Sequence, residues 1–172
     1  MSTSTSIEGQ ISLKGAQATG SLGNKLYSRI LVPIDGSPLS GEAISHAVGL
    51  AHATGATIYF VTVTEPYEPT SSYAVTVYRS FEEHSRQMKK HVQSVMSPAA
   101  AVATAAEVPT KQLHLEDAEP FRAIIRAAED NDCQLIVMAS HGRRGISALV
   151  MGSQTVKVLT HSSIPVLVCR AK

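Results

Sequence analysis

A buried-strand signature that runs directly into glycines is the feature that most constrains this chain. The four apolar residues from Leu135 to Met138 are typical of a strand buried on both faces, as in parallel sheets. Small residues and glycines follow at once. After Gly152-Ser153, the spacing of Val156 and Leu159 indicates a helix. The segment therefore predicts a strand, a glycine-rich loop and a helix N-terminus in sequence.

This arrangement is suited to holding a phosphate group. Glycine lets the backbone approach a ligand closely, free N–H groups donate to it, and the helix dipole favours its negative charge. The chain contains no Gly-Lys-Ser/Thr of a Walker A loop, and its glycines do not follow the G-x-G-x-x-G dinucleotide pattern. The glycine-rich loop is therefore either an anion site of another type or a purely structural turn.

The spacing Ala139-x2-Gly142-x9-Gly152-Ser153 resembles the G-x2-G-x9-G-(S/T) loop of the universal stress protein family, in its ATP-binding branch. Residues 136–138 and 140–145 are also similar to that family. The one departure is Ala139, which stands where the family pattern has its first glycine. Its methyl group is harmless if the backbone keeps a negative φ, and obstructive if the ligand lies against that Cα.

A second motif follows a short apolar strand at Arg29–Ile34. Ser37-Pro38 indicates a helix start, because the hydroxyl can cap and proline fits the first helical position; the helix is expected to end at Gly55. Asp35 then lies at the carboxyl end of the strand, where a turn or capping role is the simpler interpretation. Residues 32–35, Val-Pro-Ile-Asp, match the family's V-P-x-D turn, whose aspartate meets the adenine–ribose end of the nucleotide.

Strands and helices are predicted to alternate along the rest of the chain. Further strands are expected at 57–63, 110–115 and 165–169, the second of them edge-like, with a helix beginning at Pro120. This pattern predicts a single α/β domain with a doubly wound, five-stranded parallel sheet and helices on both faces. The resemblance implies a Rossmann-like strand order of 3-2-1-4-5.

The region between the second and third strands is less regular. Residues 65–78 contain prolines, tyrosines and hydroxyl residues, which predict a long flexible connection. The charged helix after it carries one apolar stripe, formed by Phe81, Met88, Val92, Val95 and Met96. Cys133 and Cys169 are expected to have packing roles. His141 is expected either to orient the glycine loop or to face water.

Composition limits the remaining possibilities. The formal net charge of +1 argues against a nucleic-acid binder that depends on phosphate contacts. No apolar stretch approaches the roughly twenty residues of a membrane span, and the N-terminus lacks the apolar centre of a signal peptide. We therefore expect a cytoplasmic protein without nucleic-acid or membrane partners, with a flexible tail at residues 1–25 and one domain at 26–172.

The resemblance implies ATP as the ligand and a homodimer formed through the fifth strand. Because phosphate chemistry uses a metal-binding acid, we expect Asp35 to help bind Mg²⁺ through an indirect contact. The expected nucleotide-binding residues are Pro33, Ile34, Asp35, Val63, Met138, Ala139, Gly142, Arg143, Gly145, Gly152, Ser153 and Gln154. The glycine loop shows no second acidic group, so we expect a nucleotide-dependent regulator of stress responses with little or slow hydrolysis. Two alternatives stay open: a dimeric interaction protein that does not bind nucleotide, and an enzyme with a related α/β nucleotide fold.

Overall fold

Within the described part of the chain, five strands alternate with four helices. The computed structural model describes residues 26–67, 74–141 and 151–170, with residues 74–80 described by their backbone alone. The elements are β1 (Arg29–Pro33), α1 (Pro38–Thr54), β2 (Thr57–Thr64), α2 (Ala74–Ala105), β3 (Thr110–Glu116), α3 (Pro120–Asp130), β4 (Leu135–Ala139), α4 (Ser153–His161) and β5 (Val166–Cys169). The predicted alternation is confirmed.

The strands form one parallel sheet in the order β3-β2-β1-β4-β5. This topology confirms the doubly wound fold, and it is the order that the family resemblance implied. It also makes β3 and β5 the edge strands. β1 and β4 are neighbours at the centre, where Ile30 pairs with Leu135.

Two hydrophobic clusters cover the two faces of the sheet. Alternate strand residues, such as Ile30 and Val32, pack with α1 and α2 on one face. Leu31 and the other set pack with α3 and α4 on the opposite face. Every residue of β4 is buried, as expected for a central strand between two helical layers.

The turn from β1 into α1 has a conformation that requires glycine. Gly36 has φ of 78°, in the left-handed region, and a Cβ there would meet Val95 Cγ2 at 3.0 Å. Ser37 then caps α1 by accepting a hydrogen bond from the Ser40 N–H, and Pro38 takes the first helical position. The predicted start of α1 is confirmed, as is its end, where Gly55 has φ of 68°.

The predicted connection at 65–78 is wrong in its second half. α2 begins at Ala74, and of the predicted connection residues 68–73 lie outside the described residues. The β-branched and aromatic residues at 75–78 are only slightly poorer helix formers than alanine, so a long helix can include them. None of the helices in the described part of the chain is long and apolar enough to cross a bilayer.

Two apolar patterns identified helices correctly, but some of the apolar residues in them are exposed. Phe81 is 51% exposed, because the described part of α2 joins the buried cluster only from Val92 onward. In α4, Val156 and Leu159 are 42% and 39% exposed, whereas Thr155 and Val158 are buried.

Replacing Gly36 with alanine should lower the free energy of unfolding by at least about 1 kcal/mol, because the methyl group adds φ strain and crowds Val95. Gly49→Ala is the matched control. A Cβ at this position in α1 meets nothing within 4 Å, so this change should stabilise by about 0.5–1 kcal/mol. Urea denaturation measures both effects. Equal stability of the two variants would contradict the described turn.

Candidate functional site

The two loops that the sequence singled out follow neighbouring strands. From β1 the chain continues through α1 to β2 on one side, whereas from β4 it continues through α4 to β5 on the other. In doubly wound sheets, such a reversal leaves a crevice outside the carboxyl ends of the strands, where ligands bind. Asp35 and Gly152 therefore belong to loops that border one crevice.

Hydrogen bonds hold the backbone at the end of β1. The Ile34 N–H donates to the Val61 carbonyl at 2.9 Å, and the buried Thr62 hydroxyl donates to the Ile34 carbonyl at 3.0 Å. The Ser37 N–H donates to Asp35 Oδ1 at 3.0 Å, which closes a short turn. Asp35 is half-buried and its carboxylate is held at the edge of the crevice.

The backbone N–H and C=O groups of Val63, near the end of β2, lie on the side of the strand that faces β1. Alternate residues of a strand direct their N–H and C=O groups to opposite sides. The Val61 carbonyl accepts from Ile34 beside β1, whereas the Thr64 carbonyl accepts from the Asp117 N–H beyond β3. Val63 lies two residues after Val61 and so directs its N–H and C=O towards β1. The β1 ladder ends at Pro33, opposite Val61.

The end of β4 and the start of α4 are joined by short contacts. The Gly152 N–H donates to the Ser140 carbonyl at 2.7 Å, and the buried Thr155 hydroxyl donates to the Ala139 carbonyl at 2.9 Å. A Cβ on Gly152 would lie 3.2 Å from the Ser140 carbonyl oxygen and 3.3 Å from His141 Cα. Glycine at 152 is therefore explained by close backbone approach, and its own N–H is used inside the protein.

The N-cap residue of α4 is Gly152, which supplies no side-chain cap. The first backbone hydrogen bond of the helix to the cap residue runs from the Val156 N–H to the Gly152 carbonyl at 3.0 Å. The N–H groups of residues 153–155 precede it and have no partner recorded among the described residues. Ser153 is exposed. Three N–H groups and a hydroxyl at a helix N-terminus make a suitable site for an anion.

Comparison with known proteins assigns the chain to a family. A model of the universal stress protein family matches residues 26–170. The chain belongs to the universal stress protein family. A universal stress protein of Methanocaldococcus jannaschii is 30% identical over 152 residues, covering 86% of this chain and 85% of that protein. One of Thermus aquaticus is 31% identical over 145 residues, covering 84% of this chain and 100% of that protein.

Solved structures share the same fold. The hypothetical protein MJ0577 superposes with a TM-score of 0.72 at 22% identity, covering 86% of this chain and 98% of its own. A universal stress protein in complex with cAMP gives a TM-score of 0.60 at 20% identity, covering 84% and 98%. A universal stress protein of Archaeoglobus fulgidus in complex with dAMP gives 0.59 at 20% identity, covering 83% and 98%.

The departure from the family's loop pattern falls at a position where the backbone accepts it. Ala139 is the last residue of β4 and is not among the described residues with positive φ. Its side chain belongs to the buried cluster on the α1 face, together with Val137. The Met138 side chain packs into the opposite cluster, so the backbone of Met138, and not its side chain, lies at the carboxyl edge of the sheet. The condition under which the alanine methyl is harmless, a negative φ, is met.

The remaining predicted residues have different positions. The Gln154 side chain accepts a hydrogen bond from the Phe121 N–H at 3.0 Å, so its amide caps α3. Pro33 ends β1 and is half-buried. Gly142, Arg143 and Gly145 lie outside the described residues, and their expected roles stay predictions.

Both cysteines are buried and neither is disulfide-bonded. Burial is the main cause that raises the pKa of Cys133 to about 11, and it also raises the pKa of Cys169. Thiols that stay protonated at neutral pH are poor nucleophiles and metal ligands, which fits packing roles. Among the described residues, no three histidine, cysteine or acidic side chains lie close enough together to hold a metal ion.

Thr155, Thr62 and Ser140 were missed by the sequence analysis. All three are buried and tie loop backbone to the ends of strands. A hydroxyl residue in the first turn of a predicted helix, three residues after Gly152, is the one available signal for Thr155, since threonine is a poor helix former. The other two follow apolar runs and carry no local signal.

Proposed function

We propose that this universal stress protein binds ATP in the crevice between β1 and β4, and that it acts as a nucleotide-dependent regulator in stress responses. The N-terminus of α4 is held against the end of β4, and β4 is the neighbour of the strand that leads into the Asp35 turn; this arrangement carries the proposal. The complexes of related folds with dAMP and cAMP support an adenine nucleotide as the ligand.

We assign a group of the chain to each part of the nucleotide. The N–H groups of residues 153–155 and the Ser153 hydroxyl donate to the phosphates, together with the loop of Gly142, Arg143 and Gly145. The backbone N–H and C=O of Val63 pair with the adenine edge. Asp35 contacts the ribose, next to the backbone of Pro33 and Ile34.

A magnesium ion is compatible with this site. Mg²⁺ in nucleotide sites keeps several waters and takes one or two carboxylates plus phosphate oxygens. Asp35 supplies one half-buried carboxylate, of which Oδ1 accepts the Ser37 N–H. Asp35 would hold the ion indirectly, through water, and the ion would neutralise phosphate charge.

The acidic residues of the proposed site are too few for rapid hydrolysis of the bound ATP. Phosphoryl transfer needs a positioned base or water-orienting group in addition to charge neutralisation. Residues 140–152 contain no aspartate or glutamate, and Asp35 is the one acidic residue of the β1 turn. The proposed site therefore holds ATP and at most hydrolyses it slowly.

The second candidate is a family member that dimerises without binding nucleotide. Ala139, in place of the first glycine of the pattern, is the observation that favours it. The extended backbone and inward methyl group of Ala139 weigh against it. Failure of the wild-type protein to bind ATP would select this candidate.

We also propose that the protein forms a homodimer through β5 and that it is cytoplasmic. β5 is an edge strand whose Leu167 is 42% exposed, and an uncovered apolar edge favours pairing with another chain. A two-fold arrangement covers this edge in both copies. The two free, buried cysteines fit a reducing compartment.

Ser153→Ala should weaken ATP binding by about three- to tenfold, which corresponds to one lost hydrogen bond of about 1 kcal/mol. Ser153 is exposed, so the change should leave the unfolding free energy unaltered. Calorimetry measures the affinity, and Ser163→Ala, an exposed serine beyond the other end of α4, is the control. Equal ATP affinities of wild type and Ser153→Ala would argue against phosphate binding at this helix.

Leu167→Lys should weaken the dimer, because it places a charge on the exposed face of the edge strand. Val166 and Val168 are half-buried, so lysine there would also disturb the fold. Val102→Lys, at a 47% exposed position on α2, is the control. Light scattering at micromolar concentration should give a dimer for wild type and Val102→Lys. A monomeric wild type, or a Leu167→Lys protein that stays fully dimeric, would place the interface elsewhere or remove it.

A further inference from the structure

His141 follows a firmly held point of the backbone. The Ser140 N–H donates to the Cys169 carbonyl at 2.7 Å, and the Ser140 carbonyl accepts from the Gly152 N–H at 2.7 Å. These bonds tie the residue before His141 to both β5 and the start of α4. His141 Cα would lie 3.3 Å from a Cβ on Gly152, so α4 begins directly against it.

The imidazole of His141 is buried and only half satisfied. The residue is 9% exposed, and Nδ1 lies 3.2 Å from Ser140 Oγ. Nε2 is shielded from solvent and has no hydrogen-bond partner among the described residues. Buried polar atoms in folded proteins are almost always paired, so Nε2 calls for a partner beyond the described residues, and a bound ligand can supply it.

The serine can select which ring nitrogen carries the proton. When the Ser140 hydroxyl donates to Nδ1, the imidazole proton lies on Nε2, which is then a hydrogen-bond donor. A donor is complementary to a phosphate oxygen. The uncapped N–H groups at the start of α4 favour an anion at the same end of the sheet.

Resting on the nucleotide-binding role proposed above, we infer that Nε2 of His141 donates a hydrogen bond to a phosphate oxygen of the bound adenine nucleotide. Ser140 positions the ring and sets its tautomer. His141 is thus a phosphate ligand of the site, distinct from the backbone donors of the glycine loop and of α4.

Two substitutions separate this role from a structural one. The side-chain amide of asparagine lies as many bonds from Cβ as Nδ1, whereas that of glutamine lies as many bonds from Cβ as Nε2. His141→Gln therefore keeps a donor at the Nε2 position, and His141→Asn keeps only a partner for Ser140. Affinities for ATP and for adenosine, which lacks phosphate, are measured by calorimetry for wild type and both variants.

The expected result is a loss of about tenfold in ATP affinity for His141→Asn, about 1.4 kcal/mol, with adenosine affinity unchanged. His141→Gln should keep most of the ATP affinity. The inference is overturned if His141→Asn binds ATP like wild type, or if it loses ATP and adenosine affinity equally. In either case the proposed function still stands, provided that the wild-type protein binds ATP. A wild type that binds no ATP overturns both.

A measurement on the wild-type protein covers the case in which the variants do not fold. With ¹⁵N-labelled histidine, the His141 Nε2 resonance should shift when ATP is added and stay in place with adenosine. An unchanged Nε2 resonance in protein saturated with ATP would overturn the inference.

Discussion

The backbone at the end of β4 is held on both sides by short hydrogen bonds, and the proposed site depends on this junction. Ser140 donates to β5 and accepts from Gly152 at 2.7 Å in each case, while the Thr155 hydroxyl reaches back to the Ala139 carbonyl. α4 therefore begins directly on the sheet, and a side chain at residue 152 would crowd the backbone of residues 140 and 141. Because β1 is the neighbour of β4, the loops that follow the two strands border the same crevice.

The groups that border the crevice are mostly hydrogen-bond donors. The helix N-terminus, the Ser153 hydroxyl and the proposed His141 donor favour a negatively charged ligand, and Asp35 is the acidic residue of the β1 turn. A site with donors and a single carboxylate is better suited to holding phosphates than to cleaving them. A bound nucleotide would also stabilise the folded form that binds it.

Strand positions were predictable because β4 and β2 are short apolar runs, rich in β-branched or aromatic residues in β2 and followed by glycines after β4, which together favour buried strands. Ser37-Pro38 and Gly55 marked α1 for equally local reasons. The inward face of α4 was not predictable from apolar spacing, because the buried residue near its start is Thr155, which is retained for a hydrogen bond. The role of Gly152 was also hidden. A sequence cannot show that its N–H is used by Ser140, since the two residues lie twelve positions apart. The strand order came from family resemblance, because periodicity alone does not order parallel strands.

Backbone amide NMR of the wild-type protein during titration with ATP tests the central claim most directly, since it locates the ligand without any substitution. The account predicts the largest shifts at the amides of residues 153–155, at the Asp35 turn and at Val63. The groove between α1 and β5, lined by His46, Leu50 and Leu167, should change little. Shifts confined to that groove, or no shifts at millimolar ATP, would contradict nucleotide binding between β1 and β4.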